Sequence, residues 1–281
     1  MTSRRILVTG ATGQQGGSLA KLLLQKKHKV YALTRGRDAQ SSAAQDLVNK
    51  GAKIVKGDLD DPDSIRHAVK DIDIESIFLM GTPFEGGTEG ETRRGKLVAD
   101  IAKENKVEHL VYSSVVNADK NTGIPHFESK YKVEQHIKNL RIPYTIIGPT
   151  SFMENLLYQR QGLQQGQFTL PLSPSTILQQ IAVQNIAEFS ALVIESPKRF
   201  LGKRIDIASD EVTGEQAAEI LSNVLEHKIK YTPIPAPNED LARMFEWYEK
   251  LGTGIDITSL HQEYPTVNWL SFKDWARSKL R

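Results

Sequence analysis

The chain has no cysteine among its 281 residues. That absence excludes disulfides, thiolate catalysis and cysteine-bound zinc together. No apolar run approaches the ~20 residues needed to span a bilayer, so no membrane-spanning helix and no membrane partner are expected. Neither sign of charge prevails: 36 Lys and Arg stand against 34 Asp and Glu, a net +2. A field that weak gives no reason to expect nucleic acid or an anionic membrane as a direct partner. Residues 1–5 lead straight into Ile6-Leu7-Val8, without the charged-then-apolar leader of a secretory signal. The cytoplasm is the expected compartment, extending to the nucleus for a regulator. No histidine pair has helical zinc spacing, so no metal is expected. No Gly-x-Ser-x-Gly elbow occurs, which argues against an α/β-hydrolase.

What is present is a core-forming composition, 39% hydrophobic, and a regular alternation. Arg5–Thr9, Lys29–Thr34, Lys53–Lys56, Ser76–Met80, His109–Ser114 and Tyr144–Ile147 read as strands. Between them, Ser18–Lys27, Ala43–Lys50, Asp63–Lys70, Glu91–Asn105 and Lys130–Leu140 carry helical spacing or helix-start signals. Such a rhythm predicts an α/β fold, a Rossmann-type doubly wound parallel sheet covered on both faces, because parallel strands need crossover helices. Residues 1–150 would form this dinucleotide-binding domain. Residues 151–281 would form a smaller, discontinuous α/β lobe for substrate or partner, with a strand near 203–209 returning to the main sheet. Within that lobe, 162–174 reads as a loop or hairpin, and 185–195, 213–226 and 238–251 as helices.

Between the first strand and first helix lies Gly10-Ala-Thr-Gly13-Gln-Gln-Gly16. A tight strand-to-helix turn wants positive φ, and a backbone without Cβ lets pyrophosphate approach its amides at a helix N-terminus. Strand, turn, helix and second strand follow in order within 34 residues, which predicts dinucleotide binding. After the second strand the chain reads Thr34-Arg35-Gly36-Arg37, with no acid before Asp38. Two arginines there suit a ribose 2′-phosphate, where an NAD site carries an acid. NADP(H) is therefore the expected cofactor, and the competing reading is two solvated loop arginines.

These motifs, with Gly57-Asp-Leu-Asp-Asp-Pro62, Gly81-Thr-Pro-Phe84, Tyr112-Ser-Ser114 and Pro149-Thr-Ser-Phe-Met-Glu-Asn155 in the same order, resemble the NmrA-like branch of the short-chain dehydrogenase/reductase superfamily. The resemblance covers most of the chain and is densest over the first 155 residues. It implies an NADP-binding Rossmann domain and a small lobe closing a cleft over the nicotinamide. By it, Gly10, Thr12, Gly13, Gln14, Gln15 and Gly16 hold the cofactor, Asp58 and Leu59 lie by the adenine, and Thr82, Pro83 and Phe84 run along it. Pro149 is a further contact, and Lys130, Phe152 and Asn155 lie near the nicotinamide end.

One departure bears on mechanism. Reductases of the wider superfamily use Tyr and Lys four residues apart, yet none of the eight tyrosines has lysine at i+4. Tyr131 meets Gln135, and His126 stands four residues before Lys130. His126 and Lys130 are candidates for acid–base chemistry, and Ser113 or Ser114 for polarising a carbonyl. The alternatives are that Lys130 holds the nicotinamide ribose and that His126 sits at a helix entry. Gly148 stands where relatives often have arginine. Leu241, Met244, Phe245, Trp247 and Tyr248 form a stripe that reads as core, or as a wall for an apolar substrate or a partner protein. Two functions remain in view. One is an NADPH-dependent reductase of a small carbonyl, quinone or enone-like substrate. The other is a redox sensor or transcriptional co-regulator that binds NADP(H) without turnover and acts through a protein partner.

Overall fold

The computed structural model describes residues 3–81 and 86–281. Its centre is a parallel sheet of β1 (Arg5–Val8), β2 (Lys29–Thr34), β3 (Lys53–Lys56), β4 (Ser76–Met80), β5 (His109–Ser113) and β6 (Tyr144–Pro149). These strands read as near-continuous hydrophobic runs because parallel strands are covered on both faces. Period-two alternation divides them. Ile6, Val8, Phe78, Val111 and Ile147 face one side, and Leu7, Ile77, Leu79, Leu110 and Tyr112 the other.

Helix α1 (Gln14–Gln25) lies on the first face, with α2 (Ser42–Asn49) beside it. Helices α3 (Pro62–Val69), α4 (Gly87–Glu104) and α5 (Pro125–Leu140) cover the second. Two of these begin a turn or more before the sequence signal. α4 starts at Gly87, where the Gly86-Gly87 pair takes positive φ and hides the helix entry. α5 starts with Pro125 at its first position, a place that needs no N–H donor. His126 and Lys130 therefore sit one turn apart on the same helix.

The second half is interwoven with the first. It adds β7 (Ser151–Phe152), β8 (Gln167–Leu170), β9 (Ile177–Ile181), β10 (Arg204–Ile207), β11 (Asp210–Thr213) and β12 (Lys230–Pro233). Its helices are α6 (Arg160–Gln164), α7 (Val183–Glu195), α8 (Pro197–Phe200), α9 (Gly214–Leu225), α10 (Glu239–Leu251), α11 (Ile257–Glu263) and α12 (Phe272–Leu280). Among the described residues the main sheet has seven strands in the order β10-β6-β5-β4-β1-β2-β3, all parallel. Beyond position 151, β10 lies in this sheet. α7 packs on α1, so the layer over this face of the sheet draws part of its core from the second half.

What remains outside is a small lobe with its own cluster around Met153, Phe168, Leu221 and Trp275. The 162–174 stretch is not a hairpin: β8 pairs in parallel with the distant β12. Strands β9 and β11 and helices α11 and α12 lie in stretches to which the sequence reading assigned no element. Glu154 ties this lobe to α7 and α12, accepting from the Val183 amide at 2.9 Å and the Trp275 indole at 2.9 Å.

Buried histidine gives the fold a pH signature. His109 is fully buried, its Nε2 2.8 Å from Thr145 Oγ1. Burial, with a smaller contribution from Arg4, lowers its pKa from 6.5 to about 4. Within that interval the unfolded chain takes up a proton that the folded chain refuses. Stability is therefore expected to fall as pH drops from about 6.5 to about 4, by up to ~3 kcal/mol. Melting midpoints across this window should decline in the wild type and decline less in His109→Gln.

Candidate functional site

The strand order reverses between β1 and β4, and in open α/β sheets ligands bind outside the carboxyl ends at such a point. A cleft of about 310 Å³ opens there. Thr9, Gly10 and Thr12 line it after β1, and Leu33, Thr34, Arg35 and Asp38 at and after the end of β2. Gly57, Asp58, Leu59 and Asp60 border it, and Met80, Gly81, Glu91 and Arg94 close the far side. A second cavity of about 390 Å³ lies across the turn, with Thr12, Gly13 and Gln14 on its rim and Trp275 and Lys279 opposite.

The glycines divide their task. Gly10 has φ +59, and a Cβ there would lie 2.5 Å from Met80 Sδ. A Cβ at Gly16 would lie 2.5 Å from the Gly10 carbonyl oxygen and 2.7 Å from that of Thr9. Only glycine lets α1 start this close to β1. Gly13 is exposed, and a Cβ there would meet only the Gly10 carbonyl, at 3.3 Å. Its role is to leave the approach to the turn open. Buried Gln15 keeps an Oε1 without a hydrogen-bond partner among the described residues. An open backbone cradle at a helix N-terminus suits the pyrophosphate of a dinucleotide.

At the cleft's outer end Arg35 Nε donates to Asp38 Oδ2 at 2.7 Å. A 3₁₀ turn, Gly36–Asp38, carries the acid back onto the arginine at i+3. The acid that sequence order set beyond the arginines therefore lies in the same wall. The Arg37 side chain, like all of Thr82, Pro83 and Phe84, lies outside the described residues. The Asp58 carboxylate accepts from the Asp60 amide at 3.0 Å. Arg94 first, then Arg93, holds Asp60 down to a pKa of about 2.

Lys130 reaches the site through Glu91. Its Nζ donates to Glu91 Oε1 at 2.5 Å, while Ser129 Oγ donates to Glu91 Oε2 at 2.7 Å. Glu91 is only 1% exposed yet borders the cleft beside Gly81. The approach of α4 to α5 depends on Gly95, where a Cβ would press on the Val133 side chain at 2.7 Å.

The other candidate residues are held elsewhere. His126 Nδ1 lies 2.7 Å from Asp240 Oδ2, which fastens α5 to α10. Ser114 Oγ donates to Glu134 Oε1 at 2.6 Å, and Glu134 in turn accepts from Arg204 Nε at 3.1 Å. Ser113 Oγ and the Tyr112 hydroxyl are buried with no hydrogen-bond partner among the described residues, and burial raises the tyrosine's pKa. Pro149 is the buried end of β6, Phe152 is half-buried against the core, and Asn155 is exposed. Gly148 has its own reason for being glycine: a Cβ there would collide with the Asp206 carboxylate. The aromatic stripe of α10 is half-buried, with Tyr248 packed near Ile124 and Phe127.

Sequence reasoning missed Glu91, Arg94, Asp60 and the fold-back of Asp38. The i+3 spacing of Arg35 and Asp38 was a usable local signal. Glu91 stands 39 positions from Lys130, and only helix packing joins them.

Known proteins resemble the chain throughout. An NmrA-like family domain-containing protein of Dictyostelium discoideum is 27% identical over 245 residues, 82% of this chain and 80% of that protein. The structure of NmrA, a negative transcriptional regulator, in complex with NADP superimposes with a TM-score of 0.81. It is 18% identical and covers 100% of this chain and 96% of that one. The NADPH-dependent quinone oxidoreductase of Escherichia coli complexed with NADPH gives 0.81 at 20% identity, covering 98% and 100%. A family model described as the NmrA-like family matches residues 2–274, and the chain belongs to that family.

Proposed function

We propose that the chain is an NADP(H)-dependent oxidoreductase that delivers hydride to a small carbonyl, quinone or enone-like substrate. The observation that carries this reading is one cleft bordered together by the glycine-rich turn at Gly10 and Thr12, the Arg35 guanidinium and the Glu91 carboxylate that holds Lys130. The residues fit the cofactor, because Gly13 leaves room for the pyrophosphate and Arg35 can meet a 2′-phosphate. The bound cofactor supplies the hydride, and the protein supplies position and charge.

In this reading the amides at the start of α1 hold the pyrophosphate, Asp58 and Leu59 flank the adenine, and Arg35 selects the phosphorylated ribose. Lys130 places an ammonium where the nicotinamide ribose and a developing substrate oxyanion lie. There it stabilises the developing oxyanion and donates the proton that completes the reduction, the acid's task that tyrosine performs in the wider superfamily. The likeness to a quinone oxidoreductase bound to NADPH supports the substrate class.

A second reading has its own support. Ser114 and His126 are already engaged by Glu134 and Asp240, and the fold matches a transcriptional regulator bound to NADP. A non-catalytic NADP(H) sensor acting through a protein partner fits both facts. Following NADPH absorbance across a panel of quinones, enones and carbonyls separates the two. Turnover is expected with at least one substrate, falling by ~100-fold in Lys130→Ala. A silent panel with intact NADPH binding would leave the sensor.

A further inference from the structure

A carboxylate bordering a cleft meant for an anionic dinucleotide works against binding unless its charge is used. Glu91 is such a group. It is 1% exposed, it borders the cleft beside Gly81, and neither oxygen is idle. One accepts from the Lys130 ammonium at 2.5 Å, the other from the Ser129 hydroxyl at 2.7 Å. Lys130 and Ser129 are adjacent on α5, so one α4 carboxylate that borders the cleft fixes two neighbouring side chains.

The cost of this arrangement argues that it has a purpose beyond holding two helices together. Burying an ion pair loses hydration that the pair's attraction barely restores, and an apolar pair of similar size would hold two helices at least as well. The helices have that apolar contact already, where Gly95 meets Val133. The strand end adds a second constraint. A Cβ at Gly81 would lie 2.9 Å from Glu91 Oε1, so even the wall of the cleft is cut back to admit the carboxylate.

We propose that Glu91 is a positioning residue for Lys130. It orients the lysine ammonium toward the nicotinamide half of the cofactor, and its own charge is spent on the lysine. The ammonium has three N–H donors, and Glu91 is the acceptor recorded for it among the described residues. The remaining donors serve the ribose hydroxyls. This inference rests on the NADP(H) reading and deepens it, because it assigns one end of the cleft to the nicotinamide ribose and Arg35 to the other.

The test uses the two halves of the cofactor as separate probes of the full-length protein: reduced nicotinamide mononucleotide and adenosine 2′,5′-bisphosphate. Glu91→Gln is expected to weaken the nicotinamide half by about tenfold and to leave the adenosine half within about twofold. Lys130→Ala should weaken the nicotinamide half at least as much. Adding Glu91→Gln to Lys130→Ala should then cause no further loss, because Glu91 acts through the lysine. Retained binding of the adenosine half reports a folded cleft. Glu91→Asp, which keeps the charge but shortens its reach, should lie between wild type and Glu91→Gln. It gives the same comparison if the glutamine variant no longer unfolds cooperatively.

Equal loss of both halves, an unchanged nicotinamide half, or a further loss in the Lys130→Ala background would each overturn the assignment. Failure of the cofactor reading shows itself differently: the unsubstituted protein would bind neither half.

Discussion

Gly16→Val is expected to destabilise the chain by about 3 kcal/mol or more and to remove dinucleotide binding. The cause is backbone, which cannot turn aside. The new Cβ would lie 2.5 Å from the Gly10 carbonyl oxygen and 2.7 Å from that of Thr9. An ordinary exposed helical glycine would gain about 1 kcal/mol on replacement by alanine; Gly16→Ala should still lose stability here. Gly13→Ala provides the contrast. Its φ of −91 is ordinary for any residue, and its Cβ would touch only one carbonyl, at 3.3 Å. Unfolding in urea is expected to change by no more than about 0.5 kcal/mol, while NADPH affinity falls by tenfold or so as a methyl group enters the phosphate approach. If both variants lost stability and binding in parallel, the division of roles between these glycines would be wrong.

Arg35→Ala is expected to lower NADPH affinity by about 10- to 100-fold and NADH affinity by no more than about threefold. A charge-assisted hydrogen bond to phosphate contributes about 1.5–3 kcal/mol, and a ribose hydroxyl at that place offers no charge to lose. Combining it with Arg37→Ala should deepen the NADPH loss alone. Asp38 adds a term of opposite sign. Its carboxylate lies 2.7 Å from Arg35 Nε in the same wall, where it opposes a 2′-phosphate and can accept from a ribose hydroxyl. Asp38→Asn should therefore shift preference further toward NADPH by several-fold. Titration of both nucleotides against the three variants decides the matter. Equal losses for NADPH and NADH in Arg35→Ala would place the arginine outside the specificity site.

The parts of the site visible in the chain are those carried by short spacing. Gly10, Gly13 and Gly16 fall at i, i+3 and i+6 between a strand and a helix, and each has a separate steric reason to be glycine. Arg35 follows β2 where the strand ends and the chain turns along the cleft. Asp58 follows β3 in the same way. Lys130 could be singled out as a candidate from its place four residues after His126, but the acid that engages it could not, because nothing in the sequence sets Glu91 apart from other helical glutamates. The same limit explains Ser114 and His126. Both look chemically available in sequence, and only their contacts reveal Glu134 and Asp240 already bound to them. In the second half short strands of four or five residues, β9 and β11, carry too few alternations to stand out.

By itself the sequence determined a cysteine-free, charge-balanced α/β chain, a parallel sheet with a glycine-rich turn after its first strand, and arginines just past its second. Each of these follows from local spacing, where neighbours in the chain are neighbours in space. Only the tertiary structure decided that α7 packs on α1 and shares its core, that Asp38 folds back onto Arg35, and that Glu91 holds Lys130. Those contacts depend on which surfaces of distant helices and strands meet, and close approach is set by small residues such as Gly95, whose partners the chain order does not name.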